Sequence, residues 1–306
     1  RVLQFEFHAP VPLSRWWRAP TAWCAMTSEN TADWVVNGSQ RRSRFDLQLS
    51  QLWKHRELAF FFAYRDVRVR YKQALLGGAW AVLQPLVGAL MFTIVFNKVA
   101  DIEVESGAYF PFAVAGFVTA NYVVASVGNG TGSLLYNGDL LTKVSFPRLI
   151  IPIAAILPAI IDLIIGLLVA LVASLATGGS LTVVGMLVGL PLGFLVLVIA
   201  VTAAVMYFSA KVVKYRDVMV LVSFGLQVML FITPIAYPAS RLPGAWRTLV
   251  YLNPVSGAVG LIRSGVIGAD APTAGQVGLS AAVAVVGFLL ALVSFRSHER
   301  EFADVI

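Results

Sequence analysis

The chain changes from basic to apolar within residues 64–86, which read YRDVRVRYKQALLGGAWAVLQPL. The basic half must stay outside the hydrocarbon of a bilayer, whereas the apolar run that continues to Lys98 can enter it. Read as a helix, the basic half suits a segment lying along lipid headgroups. Two interpretations remain open: a topology signal that fixes the start of the first span, or a specific contact surface. We call residues 64–72 the hinge; its candidate residues are Arg65, Asp66, Arg68, Arg70, Tyr71 and Lys72.

Composition places the chain among membrane proteins. Its 306 residues are 58% hydrophobic and 13% charged, with a mean hydropathy of +0.79, which is more apolar surface than a soluble core of this length needs. The formal net charge is +7, but the basic residues flank apolar runs, so membrane lipids rather than nucleic acid are the expected partner. The single cysteine, Cys24, excludes an intramolecular disulfide and any multi-cysteine metal site. We therefore expect an all-α membrane protein without a metal site.

The first part of the chain lacks a hydrophobic span. Prolines interrupt residues 1–44, which we interpret as a tail on the cytoplasmic side. From residue 45 the chain becomes amphipathic and aromatic, with Trp53 and several leucines interleaved with charges, and this pattern predicts a helix on the cytoplasmic membrane surface. The predicted units are thus a tail (1–44), an interface helix with the hinge (45–72) and a six-span domain (73–306).

About six apolar stretches are long enough to cross a bilayer, since a helix needs roughly 20 residues to do so. They cover residues 78–97, 109–129, 149–176, 181–208, 218–235 and 274–295. Placing the N-terminus inside puts most arginines and lysines in the cytoplasm and leaves only Lys98, Arg241, Arg247 and Arg263 outside. Both termini are therefore predicted to be cytoplasmic.

Two connections between these stretches are unusual. The inner segment 133–148 mixes polar and apolar residues, so it either presents Leu135, Tyr136, Leu140 and Phe146 to another protein or lies on the membrane. The outer segment 233–268 is apolar but interrupted by four prolines, too often to span. Irregular backbone at membrane depth survives only when it is buried in protein or lines a cavity. This pattern predicts a re-entrant hairpin between spans five and six.

Several separated motifs occur in the order found in one transporter family. They are Tyr64-Arg65-Asp66-x-Arg68-x-Arg70-Tyr71-Lys72-Gln73, Leu76-Gly77, Trp80, Gln84-Pro85-Leu86, Thr233-Pro234-Ile235-x-Tyr237-Pro238 and Leu252-Asn253-Pro254. From about residue 45 to the end, the chain resembles the membrane subunit of polysaccharide-exporting ATP-binding-cassette transporters, whereas the tail departs from the usual pattern. The resemblance implies two copies of this subunit, two ATP-hydrolysing subunits, and export of a lipid-linked glycan, such as an O-antigen, capsule, teichoic acid or galactan, across a bacterial inner membrane.

The sequence contains no phosphate-binding loop, because no glycine directly precedes a lysine. ATP and Mg²⁺ are therefore expected on the partner subunit, with no cofactor in this chain and no catalytic role for it. A permease for drugs or other small molecules would share the spans and the missing loop. A membrane-embedded enzyme would need a cluster of catalytic residues, and none is recognisable.

Asp162 lies midway along the third predicted span, where an exposed carboxylate costs roughly 2.5 to 3.5 kcal/mol. It must therefore face protein or water. A gating or proton-linked role is one interpretation, but ATP-driven export needs no proton, so we favour a structural hydrogen bond to another span.

The resemblance also suggests roles for two sets of residues. In the inner segment, Tyr136 and Phe146 would be aromatic anchors that dock on the ATPase, with Asp139 and Lys143 as polar contacts at the rim. For the polymer path, aromatic rings can stack on sugars without holding any unit too tightly. Packing within the protein or anchoring at the membrane interface is the alternative for such rings. The candidates are Trp80, Phe92, Phe96, Phe224, Phe231, Tyr237 and Tyr251.

Overall fold

The protein is described from a computed structural model, covering residues 55–72, 77–104, 107–138, 140 and 146–298. The helices are α1 (Arg56–Lys72), α2 (Trp80–Phe92), α3 (Tyr109–Tyr136), α4 (Ile150–Ala176), α5 (Leu190–Val212), α6 (Val218–Ile232), α7 (Trp246–Leu249), α8 (Pro254–Val266) and α9 (Ala274–His298). No strand occurs in these ranges. The all-α prediction is confirmed for the part of the chain that the structure describes.

Five helical segments are long and apolar enough to cross a membrane. They are Gly77–Val99, which contains α2, then α3, α4, Gly185–Val212, which contains α5, and α9. The predicted fifth span is shorter than expected, because α6 ends at Ile232 and Thr233 is already extended. Pro234 follows, and proline cannot continue a helix. Among the described residues, the six predicted stretches thus correspond to five spanning helices and one short apolar helix.

The centre of the fold is α3, which contacts α2, α4, α5, α6 and α8. Small residues allow the helices to approach closely. A Cβ atom at Gly130 of α3 would lie 2.5 Å from Val205 of α5, and one at Gly166 of α4 would lie 2.5 Å from Val118 of α3. Glycine at such contacts is typical of packed membrane helices.

A second apolar cluster closes the end of the bundle that carries α1. Phe62 of α1 belongs to it, together with Leu134, Ile150, Met206 and Phe295 from four other helices. We call this the hinge end of the bundle and the opposite end the far end. The cluster anchors α1 to the helical bundle.

At the far end, residues 233–253 form irregular backbone and short helical turns that lead into α8. Asn253 caps α8 by accepting a hydrogen bond from the Val255 amide at 3.1 Å, and Pro254 occupies its first turn, as is usual at helix starts. Almost all of α8 is buried, largely against α5. A short buried helix after irregular backbone fits a re-entrant segment, while re-entry itself stays a prediction.

Candidate functional site: the hinge and its polar cavity

The hinge is the C-terminal part of α1, and two contacts join α1 to the inner segment. The rings of Phe62 and Phe146 lie 6.1 Å apart, and Arg65 Nη2 donates to Asn137 Oδ1 at 3.3 Å. Arg65 is oriented further by Asp66, 2.9 Å away. Because Asn137 directly follows α3 and Phe146 precedes α4, α1 touches both ends of the connection between these helices.

The last residues of the hinge contact Asp162, which lies in the middle of α4. Arg70 Nη1 donates to Asp162 Oδ2 at 2.5 Å, and the Tyr71 hydroxyl donates to Asp162 Oδ1. Asp162 lies twelve residues beyond Ile150, or roughly 18 Å along the helix axis. The hinge therefore runs alongside α4, and its position along the headgroups stays a prediction. Asp162 does accept hydrogen bonds, as the sequence predicts, but its partners come from α1 and not from another span.

Tyr71 is protonated at neutral pH like any ordinary phenol, and its surroundings raise its pKa further. Burial, reinforced by the hydrogen bond to Asp162 and by its negative charge, raises the pKa of Tyr71 to about 12. At neutral pH the phenol is thus a hydrogen-bond donor, and Asp162 has one charged and one neutral donor. The remaining hinge cations, Arg68 and Lys72, are exposed on other sides of α1.

Beside this network lies a cavity of about 300 Å³, which we call the hinge cavity. Its walls come from the hinge, α2, α3 and α4, and its polar or aromatic lining residues are Arg70, Tyr71, Trp80, Gln84, Asn121, Tyr122 and Asp162. Gln84 Nε2 lies 3.5 Å from Asn121 Oδ1, which is a weak hydrogen bond. The Tyr122 hydroxyl is buried and has no partner among the described residues.

A second polar centre lies at the far end of the bundle, and it was not predicted from the sequence. Arg263 of α8 is buried, and its guanidinium lies 3.4 Å from the centroid of the Phe112 ring. It donates to the carbonyl oxygens of Pro234 at 2.7 Å, Phe112 at 3.2 Å and Ile235. One arginine thus ties the extended segment after α6 to α3. Arg263 is the single charged residue in the apolar run 255–267, which could have indicated a buried polar contact. The sequence analysis used it only as a positive charge on the outer side.

Comparison with known proteins agrees with this architecture. Residues 58–267, more than half of the chain, match the family model described as "ABC-2 type transporter". This chain belongs to the ABC-2 type transporter family. The resemblance to an ATP-binding-cassette permease is thereby confirmed.

Relatives of this ABC-2 chain have been named in two bacteria. The chain is 28% identical over 259 residues to the O-antigen export system permease protein RfbA of Myxococcus xanthus, covering 84% of this chain and 98% of the relative. It is 23% identical over 257 residues to an RfbA protein of Klebsiella pneumoniae, covering 82% and 95%. Another Klebsiella pneumoniae RfbA protein is 26% identical over 200 residues, covering 65% and 76%.

The coupling residues predicted for this ABC-2 chain occupy different environments. Tyr136 is 73% exposed at the end of α3, as a docking residue requires. Phe146 and Leu140 instead pack on the cluster around Phe62. Phe146 thus contributes to the attachment of α1 rather than to a free surface. Trp53, Asp139 and Lys143 lie outside the described residues.

The aromatic residues predicted for the polymer path also lie in different environments, some packed on the core and others exposed. Phe92 and Phe96 share a face, with ring centroids 5.6 Å apart, but they pack on the core, and Phe92 contacts the ring of Phe117. Tyr251 is buried, whereas Tyr237 is half-buried and its hydroxyl donates to the carbonyl oxygens of Phe231 and Ile232. The exposed rings are those of Trp80, Phe224 and Phe231.

The described residues contain no group of three or more histidine, cysteine, aspartate or glutamate side chains that could hold a metal ion. The polar groups of the hinge cavity are instead amides, phenols and one ion pair. This set can bind a polar molecule by hydrogen bonds.

Proposed function

We propose that this chain is the membrane-spanning subunit of an exporter that moves a lipid-linked polysaccharide from the cytoplasmic to the outer side of a bacterial inner membrane. Family membership carries the proposal, because an ABC-2 chain with spanning helices is a transport subunit. The substrate class is taken from the relatives, which are named as O-antigen export permeases and align with this chain over most of their length. Two copies would form the channel, with both termini in the cytoplasm.

ATP hydrolysis would be supplied by two separate subunits, which bind ATP and Mg²⁺. The sequence supports this division because it has no phosphate-binding loop. The exposed Tyr136 would dock on an ATPase at the end of α3. A shift of that end would move α1 through Asn137 and Arg65, and α1 would act on α4 through Arg70 and Asp162.

The polymer would pass along exposed aromatic rings. Trp80 borders the hinge cavity, and Phe224 and Phe231 lie on the exposed surface of α6 at 66% and 80% exposure. Their exposure within one copy leaves them available to the substrate, to a second copy or to lipid. Phe92 and Phe96 support the first span by packing, which removes them from the proposed path.

The proposed function is tested in a strain of the source organism that lacks this chain. Polysaccharide is labelled with a fluorescent lectin before and after permeabilisation of the cells. We expect the deletion strain to lose surface label and to accumulate label that appears only after permeabilisation. A plasmid copy should restore the surface label, whereas a copy in a strain whose partner ATPase lacks its phosphate-loop lysine should not. Normal surface polysaccharide in the deletion strain would refute polysaccharide export and leave a small-molecule permease.

A further inference from the structure

A second cavity, of about 130 Å³, lies at the far end of the bundle, and we call it the far-end cavity. Its walls come from the irregular segment after α6, from α8 and from the connection between α8 and α9. The charged and several of the polar lining residues are Ser240, Arg247, Arg263, Asp270, Thr273 and Gln276. The proposed polymer path uses none of these side chains.

Arg263 makes the buried side of this cavity electropositive. The residue is 4% exposed, and its terminal nitrogens donate to three backbone carbonyl oxygens rather than to a carboxylate. Among the described residues, no acidic side chain forms an ion pair with it. A buried charge is screened much less than an exposed one. Arg263 therefore favours negative charge in the cavity, although its own donors are already engaged.

Two exposed residues of opposite charge, Arg247 and Asp270, line the same cavity. Within the described part of the chain, neither side chain forms a hydrogen bond or an ion pair, so they do not neutralise each other. A simple anion would be attracted by Arg247 but repelled by Asp270. A ligand that carries a phosphate and an ammonium group would satisfy both residues.

Gln276 supplies a further donor for the phosphate. Its Oε1 atom accepts a hydrogen bond from the Thr273 amide at 3.0 Å, at the start of α9. The side-chain NH₂ group of Gln276 is therefore left to donate to a ligand. The volume of about 130 Å³ corresponds to roughly four water molecules at about 30 Å³ each, which suits a small headgroup.

The neighbours of Arg247 favour a lipid over a soluble ligand. In α7, Trp246 precedes Arg247 and Leu249 follows it, and both apolar side chains are exposed. Tryptophan is enriched at membrane–water interfaces, and leucine side chains contact the acyl region below the headgroups. A phosphate held at Arg247 would thus have apolar side chains beside it for the rest of a lipid molecule.

We propose that the far-end cavity binds the phosphoethanolamine headgroup of a phospholipid. Arg247 and Gln276 contact the phosphate, and Asp270 accepts hydrogen bonds from the ammonium group. The placement of this lipid in the outer leaflet rests on the proposed function, which puts the far end outside. A bound headgroup joins α7 to the connection between α8 and α9, because Arg247 and Asp270 come from these two segments.

Binding is measured by native mass spectrometry of the full chain, released from micelles with equal amounts of dioleoyl phosphatidylethanolamine, phosphatidylcholine and phosphatidylglycerol. We expect phosphatidylethanolamine to be retained preferentially, because choline cannot donate hydrogen bonds and glycerol carries no ammonium group. Arg247→Gln should lower its retention about tenfold through loss of a charge-assisted hydrogen bond. Asp270→Asn should remove the preference over phosphatidylcholine. Arg241→Gln and Asp101→Asn are matched controls, because both residues are exposed and neither lines the cavity.

Three results would overturn the proposal: phosphatidylethanolamine is not preferred, both cavity variants retain it like the wild type, or phosphatidylglycerol is retained instead in an Arg247-dependent manner. The last result would identify a site for anionic headgroups. Free phosphoethanolamine should bind at least about tenfold more weakly than the lipid, because it lacks the chains beside Trp246. Equal binding of the free compound would assign the cavity to a soluble ligand. Lipid retention is measured without transport, so its failure leaves polysaccharide export standing.

Discussion

Replacement of Asp162 by leucine tests whether its network with the hinge stabilises the protein. Asp162→Leu leaves the Arg70 guanidinium and the Tyr71 hydroxyl without their acceptor. Breaking a buried ion pair costs about 3–5 kcal/mol, whereas an exposed pair contributes about 0–1 kcal/mol. Since the two side chains are 35% and 23% exposed, we expect a loss of about 2–3 kcal/mol in the free energy of unfolding. Asp162→Asn keeps an acceptor and should lose only about 1 kcal/mol.

The measurement is unfolding in mixed micelles by titration with sodium dodecyl sulfate. Combining Asp162→Leu with Arg70→Met removes the stranded charge, so the double variant should regain about half of the lost stability. Asp217→Leu is a matched control, because its exposed side chain makes no cap hydrogen bond at the start of α6. Wild-type stability in Asp162→Leu would show that the pair has no structural role. A double variant no more stable than Asp162→Leu would show that the loss does not come from the stranded Arg70 charge.

Three further outcomes are expected. Gly130→Ala places a Cβ atom 2.5 Å from Val205 and should cost about 1–3 kcal/mol in the same titration, whereas Gly128→Ala, with open space around it, should stay within about 0.5 kcal/mol; equal losses would contradict the packing argument. Arg263→Met leaves three carbonyl oxygens without their donor. Proteolysis of residues 238–250 in nanodiscs should therefore accelerate. An unchanged rate would show that Arg263 does not anchor this segment. Tyr136→Ala should reduce recovery of the ATPase with the purified chain at unchanged stability; full recovery would remove this residue from the docking surface.

Hydropathy located the helices well because it sums over about 20 residues, so single misplaced side chains matter little. The predicted starts at Tyr109, Val218 and Ala274 are those observed. The end of α6 was placed three residues too late, because the apolar composition continues through Thr233-Pro234-Ile235 although the backbone does not remain helical. Local backbone chemistry, rather than hydropathy, decides such boundaries.

The candidate site was less predictable because its contacts join distant parts of the chain. Arg70 and Asp162 are 92 residues apart, and the sequence shows that Asp162 needs a partner without showing which one. Phe146 looked like a docking residue by type and position, yet its ring packs on Phe62. The cavity residues Asn121 and Tyr122 carry no local pattern that separates them from the rest of α3. Only the folded arrangement brings them beside Trp80.

The pairing of Arg70 with Asp162 has an electrical consequence. Moving one elementary charge across a membrane changes its energy by about 2.3 kcal/mol per 100 mV. A lone carboxylate in the middle of α4 would therefore respond to the membrane potential whenever this helix shifted. Opposite charges that lie 2.5 Å apart and move together carry no net charge through the field. The voltage across the membrane thus does almost no work on this ion pair when α4 shifts.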